Sequence, residues 1–390
     1  MTIKVAMCTP DWLAKPPGQP ARGIGGAGYY RMRLPAEMLN KHDGNEFVCQ
    51  VFPGCWSHPK TGELYPAITQ DPHNHDRLIC DETGWDIIVL QRWMAETDRR
   101  RILAARAHGQ AVLQDVDDHF WGVHKANRAF KETRREDWNA DYYRANLAAS
   151  THITVSTRYL ADHLADLDVP VTVLPNMIDL TLWERQPVRD QVDTVGWCGH
   201  TGYRSGDLET VGNSIRYFLR DHPHITFIHG GHDPAARHIS ELLNIPKHRV
   251  KTRLSCSIER WPRIWEGIDI AILPLNAVEF NSAKSAIKAL EASAAGVPFI
   301  ATEFGPYIDY GQGVLVDSPA EWLAALNRMT KPATTWPKGN SAFDPPSTPS
   351  QAYTSSEFRQ QLADTAYQRV QAEDANRRWT EWADLYRQHT

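Results

Sequence analysis

A chain of 390 residues, 42% hydrophobic and 23% charged, is long enough for two domains with separate cores and has the composition of an ordinary water-soluble globular protein. Its formal net charge of −5 argues against a partner held mainly through phosphate-backbone electrostatics, and no apolar run approaches the roughly 20 residues that span a bilayer. Six scattered cysteines without a C-x-x-C pair speak against a zinc motif or a disulfide framework and fit a reducing compartment. The chain enters a strand at once, without the apolar stretch of a secretory signal, so a cytoplasmic location is expected. The fourteen tryptophans are expected mainly in cores.

Apolar runs at residues 3–8, 47–52, 87–91, 111–115, 153–156 and 171–174 predict strands, with helical patterns between several of them, notably at 95–108 and 157–167. Such alternation predicts a parallel sheet covered on both faces. Residues 175–188 read as a connection. A second series follows, with strands at 195–198, 226–230, 250–253, 268–273, 299–301 and 313–316 and helices at 207–221, 235–243, 258–266, 283–295 and 320–328. Two doubly wound domains joined by a hinge are the simplest arrangement. Their ligands belong beyond the carboxyl ends of the strands, so facing domains would share a cleft. Residues 332–354, rich in Pro, Ser and Thr, read as an irregular excursion. Residues 356–387 read as helical, with Trp379, Trp382 and Leu385 at core spacing.

Four segments carry chemistry. PARGIGGAGYYRMRLP follows the first strand, and Gly25, Gly26 and Gly28 would let backbone approach a phosphate or sugar closely. The spacing does not fit a dinucleotide G-x-G-x-x-G fingerprint. Arg22, Tyr30 and Arg31 could neighbour a site there, or serve as surface and structural side chains. QDVDDHFWG puts Asp115, Asp117, Asp118 and His119 at a strand end; clustered carboxylates suit a hard cation, and equally a capped turn. GWCGHTGYRSGDLE ends a strand in a Gly-rich loop, with a helix beginning near Asp207, and reads as an anion site at a helix start or as a tight turn. Finally, residues 268–302 read as strand, loop, helix and strand. The helix would align Lys284, Lys288 and Glu291 on one face, beside an apolar stripe of Ile287, Leu290 and Ala294. Two cations and a carboxylate suit a ligand with phosphates and hydroxyls; the alternative is a solvated face. The histidines at 71–76 read as surface residues of a polar loop.

Residues 268–302 resemble the donor-binding region of retaining GT-B glycosyltransferases of the large family four. Asp269, Pro274, Leu275, Phe280, Asn281, Lys284, Ser285, Lys288, Glu291, Gly296 and Pro298 stand at its motif positions. Ala283 departs from it, where many relatives carry a glutamate eight residues before the ribose-binding one. PNMID at 175–179 is similar to the family's P-N-G-I-D, with Met177 replacing glycine and Asn176 and Asp179 as hinge and cap residues. The resemblance implies an α/β, GT-B fold of two Rossmann-like domains facing a central cleft. Residues 1–176 would form the acceptor side, completed by a carboxy-terminal helix at about 366–390, and residues 177–365 the nucleotide-sugar domain.

The implied activity is retaining transfer of a hexosyl group from a nucleotide-diphospho sugar to a glycan, protein or small molecule. Gly25, Gly26, Gly199, His200, Thr201, Arg204, Asn281, Lys284, Ser285, Lys288 and Glu291 would then bind the donor. Glu291 would hold the ribose, and Arg204 and Lys284 would stabilise charge on the leaving diphosphate. Asp117 aligns with the family's catalytic histidine, with Asp118 and His119 beside it. The resemblance further implies catalysis without metal or a cofactor. Three other activities fit the same fold or motifs: a nucleotide-sugar epimerase, a DNA-modifying glucosyltransferase and a non-catalytic nucleotide-sugar or glycan-binding protein. The acidic total, with RRR at 99–101 its main basic tract, argues against a nucleic-acid partner.

Overall fold

The computed structural model describes residues 2–11, 24–57, 63–71, 74–80, 84–125, 127–204, 206–331 and 354–390. Arg22 and residues 332–353 of the Pro-rich segment therefore lie outside the described residues. The chain forms two compact units. One comprises Met1–Asp179 with Ala283–Ser285 and Glu373–Thr390; the other comprises Leu180–Ser282 with Ala286–Ala372.

In the first unit, β1 (Ile3–Cys8) and β2 (Phe47–Phe52) are followed by a small antiparallel sheet of β3 (Gly54–Ser57), β4 (Leu64–Asp71) and β5 (Asn74–Cys80). Strands β6 (Ile87–Gln91), β7 (Ala111–Val116), β8 (His152–Val155) and β9 (Val171–Val173) complete a parallel sheet of order β2-β1-β6-β7-β8-β9. Every residue of β6 is buried, because helices cover both faces of a parallel sheet, and this is why such strands read as unbroken apolar runs. The antiparallel sheet was not expected. Of the segment read as a polar loop, Asp71 instead ends β4 and Asn74–Asp76 begin β5, while residues 72–73 lie outside the described residues. Cross-strand pairing outweighs its poor local strand pattern.

The helix Ala375–Arg387 belongs to the first unit and packs on the helix Leu34–Asp43. Trp382 and Leu385 are buried, Trp379 stacks on His42, and Lys41 Nζ donates to Asn376 Oδ1 at 2.6 Å. Beneath it lies Arg31, fully buried. Its Nε and Nη2 both donate to Asp115, the latter at 2.6 Å; Nη1 donates to the Leu174 carbonyl and to Asn176 Oδ1. The guanidinium also lies 5.2 Å from the Trp382 ring centroid. Arg31 is thus a core residue that ties β7, the segment after β9 and the last helix together.

In the second unit, β10 (Thr194–Cys198), β11 (Thr226–His232), β12 (Val250–Leu254), β13 (Ile270–Leu273), β14 (Phe299–Thr302) and β15 (Val314–Val316) form a parallel sheet of order β12-β11-β10-β13-β14-β15. Ile215, Phe218 and Leu219, at i, i+3 and i+4 on the helix Ser214–Asp221, sink into its core with Trp322 and Leu326. Asp269 anchors the entry to β13. Its Oδ2 accepts from the Asp193 and Thr194 amides, and both oxygens accept from Arg189.

Four helices differ from expectation; the one at 235–243 is only Ile239–Leu242, capped by the His238 side chain. The one at 207–221 is a 3₁₀ turn, Leu208–Val211, then Gly212 at φ 55°, then the true helix from Ser214. The stretch Ile258–Trp265 is 3₁₀, with Pro262 inside it lacking the N–H an α-helix would need. The helix at 283–295 is interrupted. A turn, Glu279–Ser282, precedes it, and the helix proper is Ile287–Ala294. Between them the Ala283 carbonyl accepts from Thr157 Oγ1 at 3.2 Å and Ser285 Oγ accepts from Asn176 Nδ2 at 2.8 Å. Thr157 thus takes a carbonyl that a continuous helix would have paired internally, and the helix proper begins only at Ile287, so Lys284 does not share a helix face with Lys288 and Glu291.

Candidate functional site

Each sheet carries a cluster beyond the carboxyl ends of its strands, where the strand order reverses and open α/β sheets bind ligands. In the second unit the reversal falls between β10 and β13. The chain leaves β10 through Gly199 and His200 into the 3₁₀ turn Thr201–Tyr203. His200 Nδ1 accepts from the Gly202 amide, which leaves Nε2 to donate to Asp233 at 2.9 Å. Thr201 Oγ1 donates to the Arg237 carbonyl. Arg204 Nη1 reaches Asp207 at 3.5 Å. Asp207 is buried and also accepts from the Asn276 amide and from Asn281 Nδ2. Asn281 therefore secures the loop by its amide hydrogens in this structure.

Glu291 is 2% exposed and accepts from Lys288 Nζ at 3.1 Å, while that ammonium lies 5.0 Å from the Trp261 ring centroid. Burial raises the Tyr307 hydroxyl above its usual range, and the charges of Arg204, Asp207 and Glu291 all act on it. Lys288 and Glu291 likewise act on the buried Cys198 thiol at the end of β10. Trp261 links this pair to the Gly199–Arg204 loop, since a Cβ on Gly231 would lie 2.9 Å from that ring and 3.3 Å from the Gly199 carbonyl. Asp207→Ala would strip the Asn276 amide, Asn281 and Arg204 of a charged acceptor, at a cost of about 1.5–3 kcal/mol. A lower urea midpoint for the second unit is the expected result; an unchanged one would show that the loop does not depend on Asp207.

Under that loop His229 donates from Nε2 to the Gly199 carbonyl at 3.1 Å, since a carbonyl can only accept. Burial first, then the neighbouring His232, His238 and His200, press its pKa down to about 4. Trp261 closes over Gly231, whose φ of 82° and 2.9 Å clearance to that ring leave no room for a Cβ. None of His229, His232 or Trp261 was read as site-forming, because each takes its place through strand order and not through spacing.

In the first unit the reversal falls between β1 and β6. Asp11 follows β1; its carboxylate accepts from the Gly28 amide at 2.8 Å and its carbonyl from the Gly25 amide at 2.7 Å. A Cβ on Gly25 would strike that carboxylate at 2.3 Å. Gly25 and Gly28 therefore serve to seat Asp11, while Gly26 has open space around its Cα. Asp117, just past β7, accepts from Arg92 at 3.0 Å, and Asp118 accepts from Lys284 Nζ at 2.6 Å. His119 turns away into an aromatic cluster with Trp121, Tyr159 and His163, and is 1% exposed. Sequence reading missed Arg92 and Asp11. Among the described residues no group of three or more His, Cys, Asp or Glu is placed to hold a metal ion, and no helix is long and apolar enough to cross a membrane.

Residues 194–331 match the family described as Glycosyl transferases group 1. No curated protein sequence matches the chain. Among solved structures it is similar to sucrose-phosphate synthase from Thermosynechococcus elongatus, at 14% identity and TM-score 0.59, covering 99% of this chain and 98% of that one. It is also similar to HepE of Anabaena in complex with UDP and glucose, at 12% identity and TM-score 0.57, covering 98% and 99%. A third is AviGT4, a glycosyltransferase involved in avilamycin A biosynthesis, at 13% identity and TM-score 0.54, covering 99% and 97%. At such identities the likeness speaks for the fold, and the fold is GT-B. Residues 194–331 thus match the group 1 glycosyltransferases, a transferase family, and the chain as a whole shares the GT-B fold.

Proposed function

We propose that this protein moves a sugar from a nucleotide-diphospho sugar to an acceptor hydroxyl with retention of anomeric configuration, and that it needs no metal. The observation that carries the reading is the buried Glu291–Lys288 pair beside the Gly199–Arg204 loop, within the residues that match the family. A carboxylate accepts from a ribose diol, and the ammonium beside it and Arg204 counter a diphosphate. Charge developing on the leaving diphosphate is the main electrostatic demand of the transfer, and cations fixed in a partly dry site meet it. HepE, solved with UDP and glucose, supports a nucleotide sugar as the class of donor. In the first unit Asp117 and Asp118, with Lys284 and Arg92, are the polar groups suited to orienting hydroxyls.

A thermal-shift panel of UDP-, GDP-, ADP- and TDP-glucose tests the donor. Selective binding at 100 times Kd stabilises by about 2.7 kcal/mol, so one base should raise the melting temperature and the others should not. A flat panel would sink the reading. Incubation with that donor alone separates hydrolysis from epimerisation. Chelator should leave nucleotide release unchanged; abolition by EDTA with rescue by Mg²⁺ would assign a cation to the carboxylates of Asp117 and Asp118, since Asp115 is buried against Arg31. Proton NMR of the first-formed glycoside should show an α-linked product from an α-linked donor.

A further inference from the structure

Arg92 stands out on backbone grounds. Only two non-glycine residues among those described have a left-handed φ, Asn244 at 50° and Arg92 at 58°. Asparagine tolerates that region; a long side chain such as arginine is found there far less often, because its Cβ crowds the backbone. A residue kept in such a conformation has to be held there by its surroundings, and strain of this kind gathers at functional positions. Arg92 comes directly after β6, at the reversal point of the first sheet. The left-handed turn brings its Nη2 to Asp117 Oδ2 at 3.0 Å and its guanidinium 5.5 Å from the Phe120 ring centroid.

Two polar atoms of this pair are buried and make no hydrogen bond among the described residues: Asp117 Oδ1 and Arg92 Nε. The Asp117 side chain is only 9% exposed. A buried orphan acceptor and a buried orphan donor each cost free energy in the folded protein, and two on partnered side chains call for a reason. A hydroxyl answers both, since it donates to a carboxylate oxygen and accepts from an N–H. The charge on the guanidinium is secure. Burial works against it, but the carboxylates of Asp117, Asp11 and Asp118 outweigh burial and raise its pKa.

We propose that Arg92 and Asp117 form a hydroxyl-binding subsite, in which Arg92 is a positioning residue that pins one oxygen of Asp117 and leaves the other for a hydroxyl of the reacting partners. The assignment rests on the transferase reading given above. The hydroxyl belongs either to the donor sugar or to the acceptor, and the two sources separate by experiment.

The variants are Arg92→Gly, which suits the left-handed backbone, Arg92→Lys, and the double variant Arg92→Gly/Asp117→Asn, which leaves no unpaired buried charge. The double variant should melt no lower than wild type, because the pair is kept for binding and not for the fold. With the nucleotide sugar chosen by the melt panel, nucleoside diphosphate release is followed with donor alone and with added glucose or N-acetylglucosamine. Both glycine variants should lose at least tenfold in kcat, with nucleoside diphosphate affinity unchanged, and Arg92→Lys should recover part of the loss. A loss with donor alone assigns the hydroxyl to the donor sugar. A loss confined to the sugar-stimulated rate assigns it to the acceptor. Unaltered rates in both assays, or a double variant that melts lower than wild type, overturn the proposal. Should no nucleotide sugar bind the wild type, the transferase reading fails and the melts alone judge the pair: a lower-melting double variant assigns it to the fold, and an equal or higher one keeps the subsite.

Discussion

Arg31→Ala should cost the first unit about 3–5 kcal/mol, the penalty for leaving a buried carboxylate without its partner. Asp115 is fully buried and receives Arg31 through two nitrogens and Thr154 through its hydroxyl. Burial first, helped by the charge of Asp117, pushes its carboxyl above the ordinary aspartate range, and the guanidinium pulls against that. Without Arg31 the Leu174 carbonyl and Asn176 also lose a donor, and Trp382 loses the cation on its face. At about 2–4 °C per kcal/mol for a unit of this size, the melting temperature should fall by roughly 6–20 °C. Arg31→Met with Asp115→Leu removes both charges and should recover most of it. A single variant that melts with the wild type would show that the pair does not hold the unit together.

The second large effect concerns the donor. If Glu291 accepts from a ribose diol, Glu291→Gln should weaken binding of the preferred nucleoside diphosphate by about 1.5–3 kcal/mol, or roughly 10–150-fold. Calorimetric titration with that nucleotide and with its 2′-deoxy form decides the role. The deoxy form lacks one of the hydroxyls, so it should lose much less on mutation. Equal losses for the two would reduce Glu291 to a partner for Lys288, which it touches at 3.1 Å.

What could be read in advance follows from the physics of each element. The parallel strands were most legible where burial on both faces makes them continuous apolar runs, as in β6, β13 and β14, whereas β12 is largely exposed. Helix ends were less so: Gly212 and Pro262 act locally, but the bonds at Ala283–Ser285 come from Thr157 and Asn176, 126 and 109 residues away. The sheet β3-β4-β5 has no strong local pattern and exists through pairing. Lys288, Glu291 and Arg204 were visible because their neighbours in sequence are their neighbours in space. Arg92 was not, since its meaning arises only when β1, β6 and β7 place Asp11, Arg92 and Asp117 together. Arg31 was read as a site neighbour or as a surface or structural side chain, and the structural reading is the one that holds. Its partner lies 84 residues away, and only the strand order makes it a core residue.

The docking of the helix Ala375–Arg387 on the first unit has a consequence for how the chain is made. Lys41 and Asn376 are 335 residues apart, and Glu46 and Arg387 are 341 apart. The unit that leaves the ribosome first is therefore the one that cannot be finished until the last helix has been synthesised, and the residues of the second unit emerge in between. Contacts so distant are slow to form, because closing the long loop costs entropy before the contact repays it. Until Trp382 arrives, the ground around Arg31 and the helix Leu34–Asp43 stays open to water and to other nascent chains, which is where a chaperone would be expected to act.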